Sequence, residues 1–183
     1  MSTVSVIFAI DECGGMGNDN KLPWPVIPED FAWFKKHTVN KVVVMGYKTW
    51  ESLPLKPLPG RINVVLSTRV DNIPGAEVFD DFEKVLDKYS TLPEIMIIGG
   101  AETIRTLRRY VDRVYVTNVK TVNLADVQVE GTWEDWDLRF HDSFTSDKCD
   151  FNIWEKTIHD EELNFYTKQG LRPEPKELRQ KQL

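Results

Sequence analysis

Short, almost continuous apolar runs, separated by stretches with helical spacing, set the tightest limit on how this chain can fold. Val4-Ser5-Val6-Ile7-Phe8-Ala9-Ile10, Lys41-Val42-Val43-Val44-Met45-Gly46, Ile62-Asn63-Val64-Val65-Leu66-Ser67 and Glu94-Ile95-Met96-Ile97-Ile98-Gly99-Gly100 are short and rich in β-branched residues. Runs of this kind mark strands buried on both faces. Between them, residues 28–36 have proline at the first position, acids in the first turn and lysines at the end, the signature of a helix. Further helices are predicted over 47–53, 81–89 and 101–110, with strands at 77–79 and 113–117. Residues 144–156 read as one or two strands with no intervening helix, hence antiparallel. The alternation predicts a single α/β domain with a mostly parallel central sheet, antiparallel C-terminal edge strands and helices on both faces. The 183 residues suit one domain better than two. The apolar pattern thins from Thr157, so the folded domain is placed at 1–156. Residues 157–183 form a polar extension of unassigned role, with five acidic and five basic side chains.

Composition removes several function classes. Net charge is −6 and no broad basic block occurs, which disfavours duplex nucleic acid as a partner. Two distant cysteines, Cys13 and Cys149, support neither a disulfide framework nor a cysteine zinc site. His37, His141 and His159 form no spaced pair, so no metal is expected. His37 is read as a dipole or capping residue at the end of its helix. No apolar run approaches the ~18–20 residues that span a bilayer. Met1-Ser2-Thr3 lacks the basic start of a signal peptide, and the expectation is a soluble, cytoplasmic chain. It is taken as a monomer, since no surplus apolar stripe is evident.

In parallel α/β sheets ligands bind at the carboxyl ends of strands. Three glycine-bearing turns fall at such ends: Gly14-Gly15-Met16-Gly17, Met45-Gly46 and Gly99-Gly100. Gly46 and Gly100 each precede a helix and are candidate phosphate cradles, where the plainer reading is punctuation of a strand end. The first cluster imitates a dinucleotide fingerprint but has no prompt helix after it. Asp30 lies among Phe31, Trp33 and Phe34, so it is either a proton donor of raised pKa or a solvated acid at a helix start. Trp24, held between Pro23 and Pro25, is either a packing residue or part of a pocket wall. With no nucleophile motif in the chain, oxidoreduction with a bound cofactor is the enzyme class best supported.

Five segments together resemble the dihydrofolate reductases over residues 4–156. They are Leu22-Pro23-Trp24, the stretch from Asp30 to Thr38, Val44-Met45-Gly46 with Thr49-Trp50-Glu51-Ser52, Pro57-Leu58-Pro59-Gly60-Arg61, and Ile97-Ile98-Gly99-Gly100. The resemblance implies NADPH-dependent reduction of 7,8-dihydrofolate to tetrahydrofolate, by hydride transfer to pterin C6 with protonation at N5. It implies a catalytic set of Asp30, Leu22, Trp24 and Thr117, with Asp30 pairing to the pterin and Thr117 bonding Asp30. Ile7, Phe8 and Ile98 would line the pterin edge. Phe31, Phe34, Leu53 and Leu58 would hold the rings, and Arg61 would clamp the α-carboxylate of the glutamate tail. For the nucleotide it implies Ala9, Met16, Asn18, Gly46, Lys48, Thr49, Ser67, Thr68, Arg69, Gly99, Gly100, Ala101, Glu102 and Thr103. A cis peptide is implied between Gly99 and Gly100. The loop from Asp11 to Val26 matches a mobile flap.

Departures from the family pattern carry expectations of their own. Tyr47 stands where an arginine is common, so a 2′-phosphate would depend on Lys48, Thr68 and Arg69. Ile104 replaces an aromatic residue. Ala125-Asp126-Val127 replaces Gly-Asp-Thr, which undercuts the usual hydrogen bonds from that loop to the flap. Three glycines and about two extra residues predict a more mobile flap. Two alternatives remain: the related reductase of riboflavin biosynthesis, and a catalytically silent nucleotide-binding module. Trp24, Asp30 and Arg61 disfavour the former, and the retained Asp30 the latter.

Overall fold

Along the first strand the side chains divide by parity, which sets the layers. Val4, Val6 and Phe8 enter one apolar cluster, while Ile7 and Ala9 enter another on the opposite face. The computed structural model describes residues 2–19, 21–129 and 136–156. The extension assigned to 157–183 lies outside them. In chain order the elements are β1 (Thr3–Asp11), β2 (Gly15–Gly17), α1 (Pro28–Thr38), β3 (Val42–Gly46), α2 (Tyr47–Ser52), β4 (Ile62–Leu66) and β5 (Glu77–Phe79). They continue as α3 (Phe82–Lys88), β6 (Glu94–Gly99), α4 (Ala101–Leu107) with a 3-10 turn over Arg108–Tyr110, β7 (Arg113–Val119), β8 (Val127–Gln128), β9 (Leu138–Thr145) and β10 (Cys149–Lys156).

Eight strands form one sheet in the order β5-β4-β3-β6-β1-β7-β10-β9. Every pair from β5 to β7 is parallel, and β10 and β9 add an antiparallel hairpin. The sequence pattern is compatible with one or two strands there; two are present, and β9 begins six residues earlier than the expected segment. The α3 and α4 helices bury Phe82, Val85, Ile104 and Leu107 against one face. Helices α1 and α2 bury Trp33 and Trp50 against the other. Local chemistry explains the boundaries. Pro28 opens α1, the Thr38 hydroxyl donates to the Phe34 carbonyl at 2.7 Å, and Asn40 turns the chain at φ +61. Asp81 caps α3 by accepting from the Glu83 amide at 3.0 Å.

A second, two-stranded ribbon pairs β2 with β8. The sequence gives no strand signal for either, because β2 is Gly15-Met16-Gly17 and β8 has two residues. Far from this ribbon, at the amino ends of the strands, Glu94 gathers Lys41, Ser5 and Arg113, and Arg113 Nε donates to Glu155 at 2.5 Å. No helix among the described residues is long and apolar enough to cross a membrane.

Candidate active site

One continuous crevice of about 2020 Å³ runs across the carboxyl ends of β1, β3, β4, β6 and β7. Single-ligand pockets are commonly ~300–1,000 Å³, so this one has room for two ligands side by side. Its walls bring together nearly all the residues singled out in the sequence. They include Ile7, Phe8, Ala9, Leu22, Trp24, Asp30, Phe31, Phe34, Leu53, Ile98 and Thr117. They also include Met16, Gly46, Lys48, Thr49, Ser67, Thr68, Arg69 and residues 99–103. Asn18, Leu58 and Arg61 are the three expected residues outside that lining. Asn18 pairs with Lys21 across a turn. Leu58 packs with the apolar cluster that also receives Phe34 and Leu53.

Asp30 is placed by α1, whose first turn it occupies, with its carboxylate directed to β7. The Thr117 hydroxyl donates to Asp30 Oδ1 at 2.7 Å. Burial pushes the Asp30 carboxyl above its usual range, and this hydrogen bond only partly opposes the shift. An acid held partly towards its neutral form, in a pocket walled by Trp24, Phe31 and Phe34, can both bind a cationic or amide-bearing heterocycle and promote its protonation.

Arg61 is held at the outer margin. Its Nε donates to the Pro59 carbonyl at 3.0 Å, its Nη1 to Thr38 Oγ1 at 2.9 Å, and its guanidinium lies 5.9 Å from the centre of the Phe34 ring. Thr38 is fully buried and joins Arg61 to α1. Thr38 closes one of the five resembling segments, but a threonine at a helix end carries no separate signal of this task.

The second group fits a phosphate-bearing ligand. Gly46 and Gly100 precede α2 and α4, and no side chain among the described residues caps either helix. A Cβ on Gly46 would meet Thr103 Oγ1 at 2.6 Å, so the two turns already touch. Gly99 has φ +131 and is joined to Gly100 by a cis peptide, as the resemblance implied. Lys48 and Arg69 are exposed at the mouth and supply the cations that a net-negative chain must concentrate locally. These are the features needed to hold NADPH. Ile104 is buried in the core layer and does not line the crevice. A Gly46→Ala variant is expected to lose about 1–3 kcal/mol of stability from overpacking. Adding Thr103→Ala should restore most of it, as measured by urea unfolding.

Two expectations are corrected by the structure. The loop containing Ala125-Asp126-Val127 does bond to the flap. Asp126 Oδ2 accepts from the Asp19 amide at 3.0 Å, the Asp126 amide donates to the Gly17 carbonyl at 3.0 Å, and β2 pairs with β8. Most of these bonds are between backbone groups, which changes at the flanking side chains leave intact. Nor does His37 cap its helix. Its ring lies 4.2 Å from Trp33 and 4.5 Å from Tyr115, and Nε2 is buried with no hydrogen-bond partner among the described residues. Burial and the nearby Lys41 and Lys36 bring its pKa down to about 4. A folded-state value below the ordinary 6.5 means that the unfolded chain takes up the proton first. Stability should therefore fall as pH drops from about 6.5 to about 4. The loss is about 1–2 kcal/mol once screening at the partly exposed ring is allowed for. A His37→Phe variant should lose this dependence in thermal melts taken across that window.

A half-buried acid of raised pKa beside a phosphate-compatible cradle, in a crevice along one sheet edge, defines a class: α/β oxidoreductases that set a heterocyclic substrate against a nucleotide. The comparisons narrow it. The family model for dihydrofolate reductase matches residues 3–158. The dihydrofolate reductase of Mycobacterium leprae is 43% identical over 129 residues, covering 69% of this chain and 78% of that protein. That of Bacillus subtilis is 36% identical over 169 residues, covering 91% and 95%. The solved structure of dihydrofolate reductase from Enterococcus faecalis complexed with NADP(H) and RAB-propyl matches with a TM-score of 0.76 at 25% identity, covering 85% of this chain and 97% of that one. The chain belongs to the dihydrofolate reductase family.

Proposed function

We propose that this chain reduces 7,8-dihydrofolate to 5,6,7,8-tetrahydrofolate with NADPH, acting as a cytoplasmic monomer. The observation that carries the reading is Asp30, a half-buried carboxyl bonded to Thr117 and walled by aromatic rings in a crevice roomy enough for two ligands. Asp30 would pair with the pterin's N3 and 2-amino group, and its raised pKa favours proton delivery towards N5. Ile7, Phe8 and Ile98 would border the pterin. Phe31, Phe34 and Leu53 would exclude water around the rings, and Arg61 would take the α-carboxylate of the glutamate tail.

NADPH would be held by Gly46, Lys48, Thr49, Ser67, Thr68, Arg69 and residues 99–103, with Ala9 and Met16 nearer the reacting end; when bound it supplies a hydride. Tyr47 lines the same mouth without adding a cation, so Lys48 and Arg69 would carry recognition of the 2′-phosphate. Leu22 and Trp24 close the crevice over the substrate side. Holding donor and acceptor in one pre-formed site supplies much of the acceleration.

The test is NADPH oxidation with dihydrofolate. Turnover that a diaminopteridine inhibits supports the reading. Turnover only with a riboflavin-pathway pyrimidine would replace it with the related reductase. NADPH binding without turnover would indicate a silent module.

A further inference from the structure

The root of the loop between β1 and α1 is fastened by one buried carboxylate. Asp11 is the last residue of β1 and is 2% exposed. Its Oδ1 accepts from the Cys13 amide at 3.0 Å and the Gly15 amide at 2.8 Å. Its Oδ2 accepts from the amide of Asn123 at 2.9 Å, 112 residues away in the chain. Three donors therefore meet a side chain that accepts only, which an ionised carboxylate satisfies and a carboxamide does not. The geometry is close on every side. A Cβ on Gly15 would sit 3.0 Å from both Asp11 carboxylate oxygens and 2.7 Å from the Ala125 Cβ. Burial raises the cost of this charge, yet the three amides together hold the Asp11 carboxyl below the usual range, so it is ionised at neutral pH.

The consequence reaches the crevice through the next residue. Gly15 pairs with Gln128, and Met16 directs its side chain to the crevice wall, with Cε 3.9 Å from where a Cβ on Gly99 would stand. By contrast, the outer tie of the loop, Asp19 to Asp126, is exposed and open to competition from water.

We propose that Asp11 is a positioning residue for cofactor binding: by bonding Cys13, Gly15 and Asn123 at once, it fixes the loop root and holds Met16 against the Gly99 corner of the crevice. The proposal rests on the reductase reading for the identity of the ligand, but the fastening itself does not. It differs from a general stabilising role, because the loosened segment is the one that borders the nucleotide end, while the Asp11 carboxylate bonds Cys13, Gly15 and Asn123 and none of Asp30, Thr117 and Arg61.

The test compares the full chain with its Asp11→Asn and Gly15→Ala variants, the second attacking the same junction from the opposite side. Hydrogen exchange without ligand should be about tenfold faster or more at residues 13–17 and 123 in Asp11→Asn, while β3 and β6 keep wild-type protection. The dissociation constant for NADPH, read by tryptophan fluorescence, should rise about tenfold in both variants. The KM for dihydrofolate should stay within about twofold, a split that a merely structural role would not produce. Faster exchange with unchanged NADPH affinity, unchanged exchange at 13–17, or loss of protection throughout the sheet would each overturn the proposal. If the wild-type chain fails to bind NADPH, the reductase reading fails, and the exchange result still decides whether Asp11 fastens the loop.

Discussion

An Asp30→Asn variant is expected to be more stable than the wild type at pH 7 while losing about 10²–10⁴-fold in dihydrofolate turnover. Both effects have one cause. Burial raises the pKa of Asp30 in the folded protein, so at neutral pH the native state carries the penalty of a desolvated charge. Below the ordinary carboxyl value of 3.8 the acid is protonated in both folded and unfolded chains, and the penalty vanishes. Asparagine carries no charge at any pH, and its carbonyl can still accept from Thr117. The difference in melting temperature between variant and wild type should therefore be positive at pH 7 and shrink towards zero as pH falls below about 4. Melts at several pH values, alongside initial rates, check both halves. Equal turnover would remove Asp30 from the mechanism, and a variant less stable at every pH would contradict the desolvation argument.

The second large effect is expected at Arg61. An Arg61→Lys variant keeps the charge but loses the planar fork that meets a carboxylate with two parallel bonds. It also loses the two bonds, to Pro59 and Thr38, that hold the guanidinium beside Phe34. Charge-assisted hydrogen bonds contribute roughly 1.5–3 kcal/mol, so the KM for dihydrofolate should rise about 10- to 100-fold. The KM for NADPH should stay unchanged, as should the KM for a dihydropterin without a glutamate tail. Thr38→Ala should shift the same constant in the same direction by a smaller factor, because it releases one of the two bonds orienting the fork. A rise for the tail-less substrate too would show that the variant had disturbed the pterin pocket, and would exclude a specific clamp.

Much of this architecture is legible locally. Proline at the start of α1, acids in its first turn and the β-branched runs of β1, β3 and β6 are short-range signals. Each states which backbone conformation is favoured and which face is apolar. The glycines at 46 and 99–100 likewise announce close backbone approach. The β2–β8 ribbon has no such signature, because a three-residue and a two-residue segment become strands only by pairing with each other, 110 residues apart along the chain at Gly17 and Val127. His37 shows the same limit in a side chain. Its place near a helix end suggested a charged partner for the helix dipole, but Trp33, Tyr115 and the neighbouring lysines make the neutral ring the favoured form.

From the sequence alone came the α/β class, the parallel run of strands, the family and the residue types able to bind a pterin and a dinucleotide. The class and the parallel strands follow from periodicity and turn chemistry, which act over a few residues at a time, while the family and the ligand-binding residues are what the resemblance of five segments implies. The bond from Thr117 to Asp30 across 87 positions is the one the resemblance implied, whereas tertiary structure alone decided that Thr38 orients Arg61 and that Asp11 binds three amides at once. Those contacts also set the protonation states, because desolvation and hydrogen bonding depend on what packs around a group.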